Sequence, residues 1–187
     1  KSKHQQMVSG VGVIAYWISM FIWDNISFGI TTCLFAFLVA GPIFGDDTTQ
    51  LGGGGADYRT ELGLFFGLCF LFGMAVSGFA YSCSYIFKTP ANAQIIMIFV
   101  CFITGLVLSI VGMVLRILPD TRNAYNDYLR YLFCLFPPFA FGDGLHNMAL
   151  INLWSSLEKG GILYNPTDWE ITGLPMTMLA FESVIYL

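Results

Sequence analysis

The sequence predicts an all-α protein that lives in a membrane as a polytopic helical bundle. Three observations predict it. Only 11% of the 187 residues are charged and 56% are hydrophobic, with a mean hydropathy of +0.70, against roughly 25% charge in average soluble proteins. The charges leave three long runs without any: 21 residues between Asp24 and Asp46, 26 between Glu61 and Lys88, and 27 between Lys88 and Arg116. A helix needs about 20 apolar residues, rising about 1.5 Å each, to cross a bilayer core. Lastly, turn formers fall between the runs, with four glycines at 52–55 and a proline at Pro90.

The bulk numbers also exclude. The net charge is −4 and Lys and Arg form no cluster, so the electrostatic footprint of a nucleic-acid binder is missing. Five cysteines, Cys33, Cys69, Cys83, Cys101 and Cys134, are scattered without a CxxC pair. They read as small hydrophobes rather than as a disulfide framework or a zinc site. The chain starts at Lys1 and stops at Leu187 inside an apolar stretch, so a larger parent is expected.

Residues 1–10 are polar and basic. Residues 11–24 are apolar and aromatic and end at Asp24. Trp and Tyr favour the membrane–water interface, which makes Tyr16, Trp17, Trp23 and Asp24 expected interfacial anchors of a surface-lying helix. The first span follows at about 25–44. A polar loop with Asp46, Asp47 and Asp57 comes next. Its glycine run cannot hold a helix. The second span is expected at about 62–87 and the third at about 94–118, separated by Lys88-Thr89-Pro90, where proline stops the helix. Arg116, at the end of its run, is expected to anchor at the interface as well.

Residues 119–168 differ from the rest. Their uncharged run, 131–142, is 12 residues long and too short to cross a bilayer. Pro137-Pro138 interrupts it, and Gly142-Asp143-Gly144 is expected to turn sharply. Such broken segments are read as re-entrant elements. A fourth span is expected at 169–187. Lys1, Lys3 and Lys88 fall on one side of this arrangement and the acidic loop on the other, so the lysines are expected in the cytosol.

Few residues suggest chemistry. Gly63 and Gly67 form a GxxxG spacing, with Gly73 and Ser77 repeating the small-residue theme, and both suit close helix packing. Glu182 lies 13 residues past Trp169. A carboxylate at that depth costs several kcal/mol unless it faces protein, water or a partner. It reads either as a polar contact in a substrate path or between transporter halves, or as a structural glutamate, buried against a neighbouring helix or protonated. His4 and His146 have no second ligand at metal spacing. The acceptor triplet Asn25-Ile26-Ser27 would lie at the cytosolic edge, where it is not modified. No GxxxxGK[ST], HExxH or GxSxG sequence occurs, so the chain offers no catalytic, cofactor or metal residues of those kinds.

Four motifs in order resemble the A subfamily of ABC transporters, the lipid exporters. The opening 1–11 resembles KxKHxQxVSGV, and Tyr16-Trp17-Ile18-Ser19 with Trp23-Asp24 resembles YWxSxxxWD. Phe136-Pro137-Pro138-Phe139 with Gly142-Asp143-Gly144-Leu145 resembles FPxFxxGxGL. The stretch 180–184 is similar to the family's glutamate-bearing last helix. The resemblance implies a partial domain, from the second transmembrane half, with the ABCA/ABCG-like exporter bundle and an outer-side re-entrant helical hairpin. Residues 1–10, with Lys1, Lys3, His4, Gln5 and Gln6, would then be the cytosolic segment that couples to a nucleotide-binding domain. Residues 11–187 would be transmembrane domain. Phe136, Pro137, Pro138, Gly142 and Gly144 would form the re-entrant motif, and Glu182 would be an intramembrane polar group.

The function this implies is the membrane-spanning part of an ATP-driven transporter exporting or flipping lipid or another amphipathic molecule, in the plasma membrane or an internal one. ATP and Mg would be bound by the parent protein, on the nucleotide-binding domains. The partners would be those domains, the other transmembrane half and membrane lipid. The alternative is a channel or structural membrane subunit driven without ATP, which would carry polar residues down one face of a span. Ser77, Ser82 and Ser84 are too few and too clustered for that. An enzyme acting on lipid within the membrane would need a convergent nucleophile and base, and none is seen.

Overall fold

The computed structural model describes residues 12–44, 58–84, 86–87, 89–151, 154 and 165–186. All regular structure among them is helical. The first helix, α1, is Val13–Phe44. It runs unbroken through Asp24 and Asn25, so the aromatic segment expected as a separate surface-lying helix is instead continuous with the apolar run behind it. Its 32 residues span about 48 Å at 1.5 Å per residue, more than one bilayer core requires.

Helix α2 is Tyr58–Ser84. Helix α3, Pro90–Phe102, continues through a π-helical turn at Ile103–Val107 into α4, Leu108–Ile117. The expected spans at 62–87 and 94–118 correspond to Leu62–Ser84 and Ala91–Ile117, both long and apolar enough to cross a membrane. Proline sets the boundaries. Pro90 opens α3, where its missing N–H costs nothing. Leu118, before Pro119, is held extended at φ −72° and ψ 121° and closes α4.

A helical hairpin follows. One arm is α5, Arg122–Ala124, a π turn at Tyr125–Leu129, and α6, Arg130–Phe133. The other arm is α7, Pro137–Ala149. Both arms lie beside α4, since a Cβ on Gly112 would meet Tyr125 from one and Phe139 from the other. The chain therefore runs alongside α4 in one arm and returns beside it in the other. One detail is corrected. Pro137-Pro138 does interrupt the run, since α6 ends at Phe133 before α7 opens at Pro137, but Gly142-Asp143-Gly144 does not turn the second arm. The prolines occupy its first positions and the glycines lie within the helix. Proline starts helices as readily as it ends them, because its ring disrupts only the turn before it.

The last element is a π turn at Trp169–Gly173 running into α8, Leu174–Ile185. Helix α2 is the hub, packing on α1, α7 and α8. Two apolar clusters hold it there. Phe65 and Cys69 join Met148, Ile151, Trp154 and Ile171, while Leu68 and Ala75 join Cys134, Phe139, Leu174 and Leu179. Phe72 stacks on Phe141 of α7 with ring centroids 4.4 Å apart. The α3 side is different: Ile98, Phe99 and Phe102 are more than half exposed, as suits a surface facing lipid.

Candidate functional site

Four buried polar side chains join α4, the hairpin and the last helical segment. Arg130, at the start of α6, sends Nε and Nη2 to the same Asp143 oxygen at 2.9 and 2.7 Å. Asn147, one turn after Asp143 on α7, donates to that oxygen at 3.0 Å. It also accepts from Nη1 of Arg116 at 2.6 Å and lies 3.4 Å from the Ile171 carbonyl. Arg116 lies over the Trp154 ring, 4.3 Å from its centroid. Each of the four is under a tenth exposed.

The local sequence explains the placement. Asp143 and Asn147 are four residues apart and share a face of α7. Gly142 and Gly144, flanking Asp143, let α7 approach its neighbours. A Cβ on Gly142 would fall 2.6 Å from Ser109 Oγ, and one on Gly144 would fall 2.9 Å from Leu68 of α2. Burial works against the charge on Arg130, but the Asp143 carboxylate more than offsets it and raises the guanidinium above its ordinary range. The cluster holds two arginines and one carboxylate. It is a rack: a set of charge-assisted hydrogen bonds fixing the hairpin against the spans. Among the described residues there is no group of three or more potential metal ligands.

The other sequence-derived residues divide. Asp24 is partly buried and accepts a hydrogen bond from the Tyr81 hydroxyl of α2. Trp17 packs edge-on against the Tyr81 ring at 5.6 Å and Tyr16 against Trp17 at 5.8 Å. Trp23 faces outward, 66% exposed. Arg116, read as an interfacial anchor, is instead 3% exposed inside the rack. Glu182 is 2% exposed, and neither of its carboxyl oxygens has a hydrogen-bond partner among the described residues. It lies one turn before Tyr186, whose hydroxyl reaches Leu135 at the hairpin tip. Lys1, Lys3, His4, Gln5 and Gln6 lie outside the described residues, as does the acidic loop with its glycine run.

The whole chain, residues 1–187, matches the ABC-2 family transporter protein pattern. It belongs to the ABC-2 transporter family. Among curated proteins it is similar to the mouse retinal-specific phospholipid-transporting ATPase ABCA4, 29% identical over 191 residues, 100% of this chain and 8% of that one. It is also similar to human ATP-binding cassette sub-family A member 2, 24% identical over 194 residues, with 99% and 8% covered. Mouse sub-family A member 7 is 24% identical over 192 residues, with 100% and 8% covered. The chain thus spans about 8% of the length of these relatives. It is an ABC-2 membrane domain, in part, homologous to ABCA-type transporters, and it is integral to the membrane.

Within this ABC-2 chain, sequence reasoning singled out Gly142 and Gly144 but missed the rack they make room for. The available signal was weak: a four-residue spacing of Asp143 and Asn147 after an apolar run. Their partners, 13 residues away at Arg130 and 31 away at Arg116, share no periodicity with them.

Proposed function

We propose that the chain supplies membrane-spanning helices to an ATP-driven transporter that exports or flips lipid or another amphipathic molecule. The observation that carries this is the match of the whole chain to the ABC-2 family, together with relatives named as phospholipid-transporting ATPases. ATP and Mg do not fit this chain, which has no phosphate-binding loop and no cluster of acidic ligands among its described residues. They are assigned to nucleotide-binding domains of the parent protein.

In this reading, closure of those domains pushes on residues 1–10, and α1 carries the displacement into the bundle. The rack makes α4, the hairpin and the segment before α8 move as one body: the buried Arg130–Asp143 pair ties the two hairpin arms, and Asn147 links them to Arg116 of α4 and to the Ile171 carbonyl. The exposed apolar side of α3 and α4 then slides against lipid or against the other transmembrane half. We assign Glu182, buried on α8 with both carboxyl oxygens unpaired among the described residues, a polar contact that forms on the substrate path during the cycle.

The test is the full-length parent reconstituted in liposomes with a fluorescent phospholipid. Translocation that needs ATP and Mg, and fails with a non-hydrolysable analogue, is expected. Passage of ions or lipid at the same rate without ATP would overturn the reading. In the same assay Glu182→Gln is expected to cut transport while leaving the melting midpoint unchanged. Wild-type transport in that variant would make Glu182 a structural residue only.

A further inference from the structure

Two helix ends meet on the last two turns of α2. On one side, Trp17, Phe21 and Asp24 of α1 recur at i, i+4 and i+7, which places them on one stripe of the helix. All three reach Tyr81: the Trp17 ring at 5.6 Å, the Phe21 ring at 6.5 Å, and the Asp24 carboxylate through the Tyr81 hydroxyl. On the other side, Tyr186 at the end of α8 fits against Gly78, where a Cβ would come within 2.9 Å of it. Its ring packs on Phe79 at 5.3 Å, and its carbonyl accepts from Ser82 at 3.4 Å. The Tyr186 hydroxyl donates in turn to the carbonyl of Leu135, at the tip of the hairpin, at 3.3 Å.

A continuous path of contacts therefore runs from the start of α1, through the end of α2, to the hairpin tip. One member is chemically out of keeping with its task. Two helices that only need to adhere do so at least as well through apolar side chains as through a partly buried carboxylate. Asp24 adds direction: the Tyr81 hydroxyl can meet it at one register and one rotation of α1 against α2. A slip of one residue would turn Asp24 by about 100° and break the contact.

We infer that Asp24 and Tyr81 are positioning residues that latch α1 to α2, so that displacement of the α1 start reaches α8 and the hairpin tip through Tyr186. The inference rests on the transporter reading above and adds the residues that couple hydrolysis to movement. Without the latch, α1 would still be pushed but would slide on α2, and ATP would be hydrolysed with little transport.

The experiment uses the full-length parent in phosphatidylcholine liposomes, measuring lipid transported per ATP hydrolysed, with melting midpoints taken alongside. Tyr81→Phe keeps the ring and removes the donor. Asp24→Leu removes the acceptor, and Asp24→Asn retains one. Tyr81→Phe and Asp24→Leu are expected to lower the transport-to-hydrolysis ratio about tenfold, the size of one hydrogen bond to a charged group. Hydrolysis itself is expected to stay near wild type. Asp24→Asn is expected to keep most of the ratio, and the double variant Asp24→Leu/Tyr81→Phe to be no worse than either single one. A wild-type ratio in Tyr81→Phe, or additive losses in the double variant, overturns the latch. If Tyr81→Phe melts early, Asp24→Asn decides, and a lost ratio there overturns it as well. A wild-type protein that moves no lipid with ATP overturns the transporter reading, and the latch with it.

Discussion

Asp143 is where one substitution would be felt most widely, because one of its oxygens takes three of the rack's hydrogen bonds. Asp143→Leu strands the buried Arg130 guanidinium and removes a partner from Asn147. Its expected cost is about 3–5 kcal/mol, the range for a buried pair broken from one side. Replacing both partners, as Arg130→Met with Asp143→Leu, is expected to recover most of that stability. Melting midpoints of the purified membrane domain check both, and a double variant as unstable as the single one would show that the pair is worth more than apolar packing. Nothing in the sequence ranked Asp143 above its neighbours. A lone carboxylate between two glycines has the composition of a turn, and only the depth at which α7 is buried reverses that reading.

Glycine packing between elements is legible in part. The GxxxG spacing pointed to Gly63 and Gly67, but a Cβ on Gly63 meets nothing within 4 Å, while one on Gly67 meets the mobile end of Met176. The close approaches lie further along α2, where Gly73 receives the Phe28 ring of α1 and Gly78 receives Tyr186. A motif reports that small residues recur on one face and is silent about which neighbour uses each. Gly78→Ala is expected to destabilise the bundle, since its new methyl group would meet Tyr186 backbone at 3.2 Å, which cannot yield as a side chain can. Gly63→Ala is expected to stabilise it by up to about 1 kcal/mol, the usual helix gain of alanine over glycine. Thermal melting of the two variants separates them, and a destabilised Gly63→Ala in the full-length parent would reveal a further helix on that face. Helix existence was easier to read than packing. Each charge-free run gives a helix, because lipid leaves the backbone no other way to satisfy its polar groups. The path of the hairpin depends on which residues it meets, and one sequence does not state that.

For the whole molecule, the arrangement of charges makes a claim about sidedness. From sequence, Lys1, Lys3 and Lys88 are expected on one side and Asp46, Asp47 and Asp57 on the other, with the lysines in the cytosol. An epitope tag inserted at 52–55 is therefore expected to be reached by antibody from outside the cell, or from the lumen of an organelle. Reaction only after the cytosolic side is opened would reverse the orientation. The π turn at Ile103–Val107 has a different kind of consequence. It closes one residue later than an α turn, with Leu108 N–H donating to the Ile103 carbonyl. That extra residue rotates all that follows by about 100°, and Gly105, Ser109, Gly112 and Arg116 come to face the hairpin while Ile98, Phe99 and Phe102 face away. The number of residues in this turn thus carries information that their identities do not. For a gene encoding this span, loss of one codon within the turn would be a graver lesion than most substitutions there, since it would swing Arg116 off Asn147 without altering a single contacting side chain.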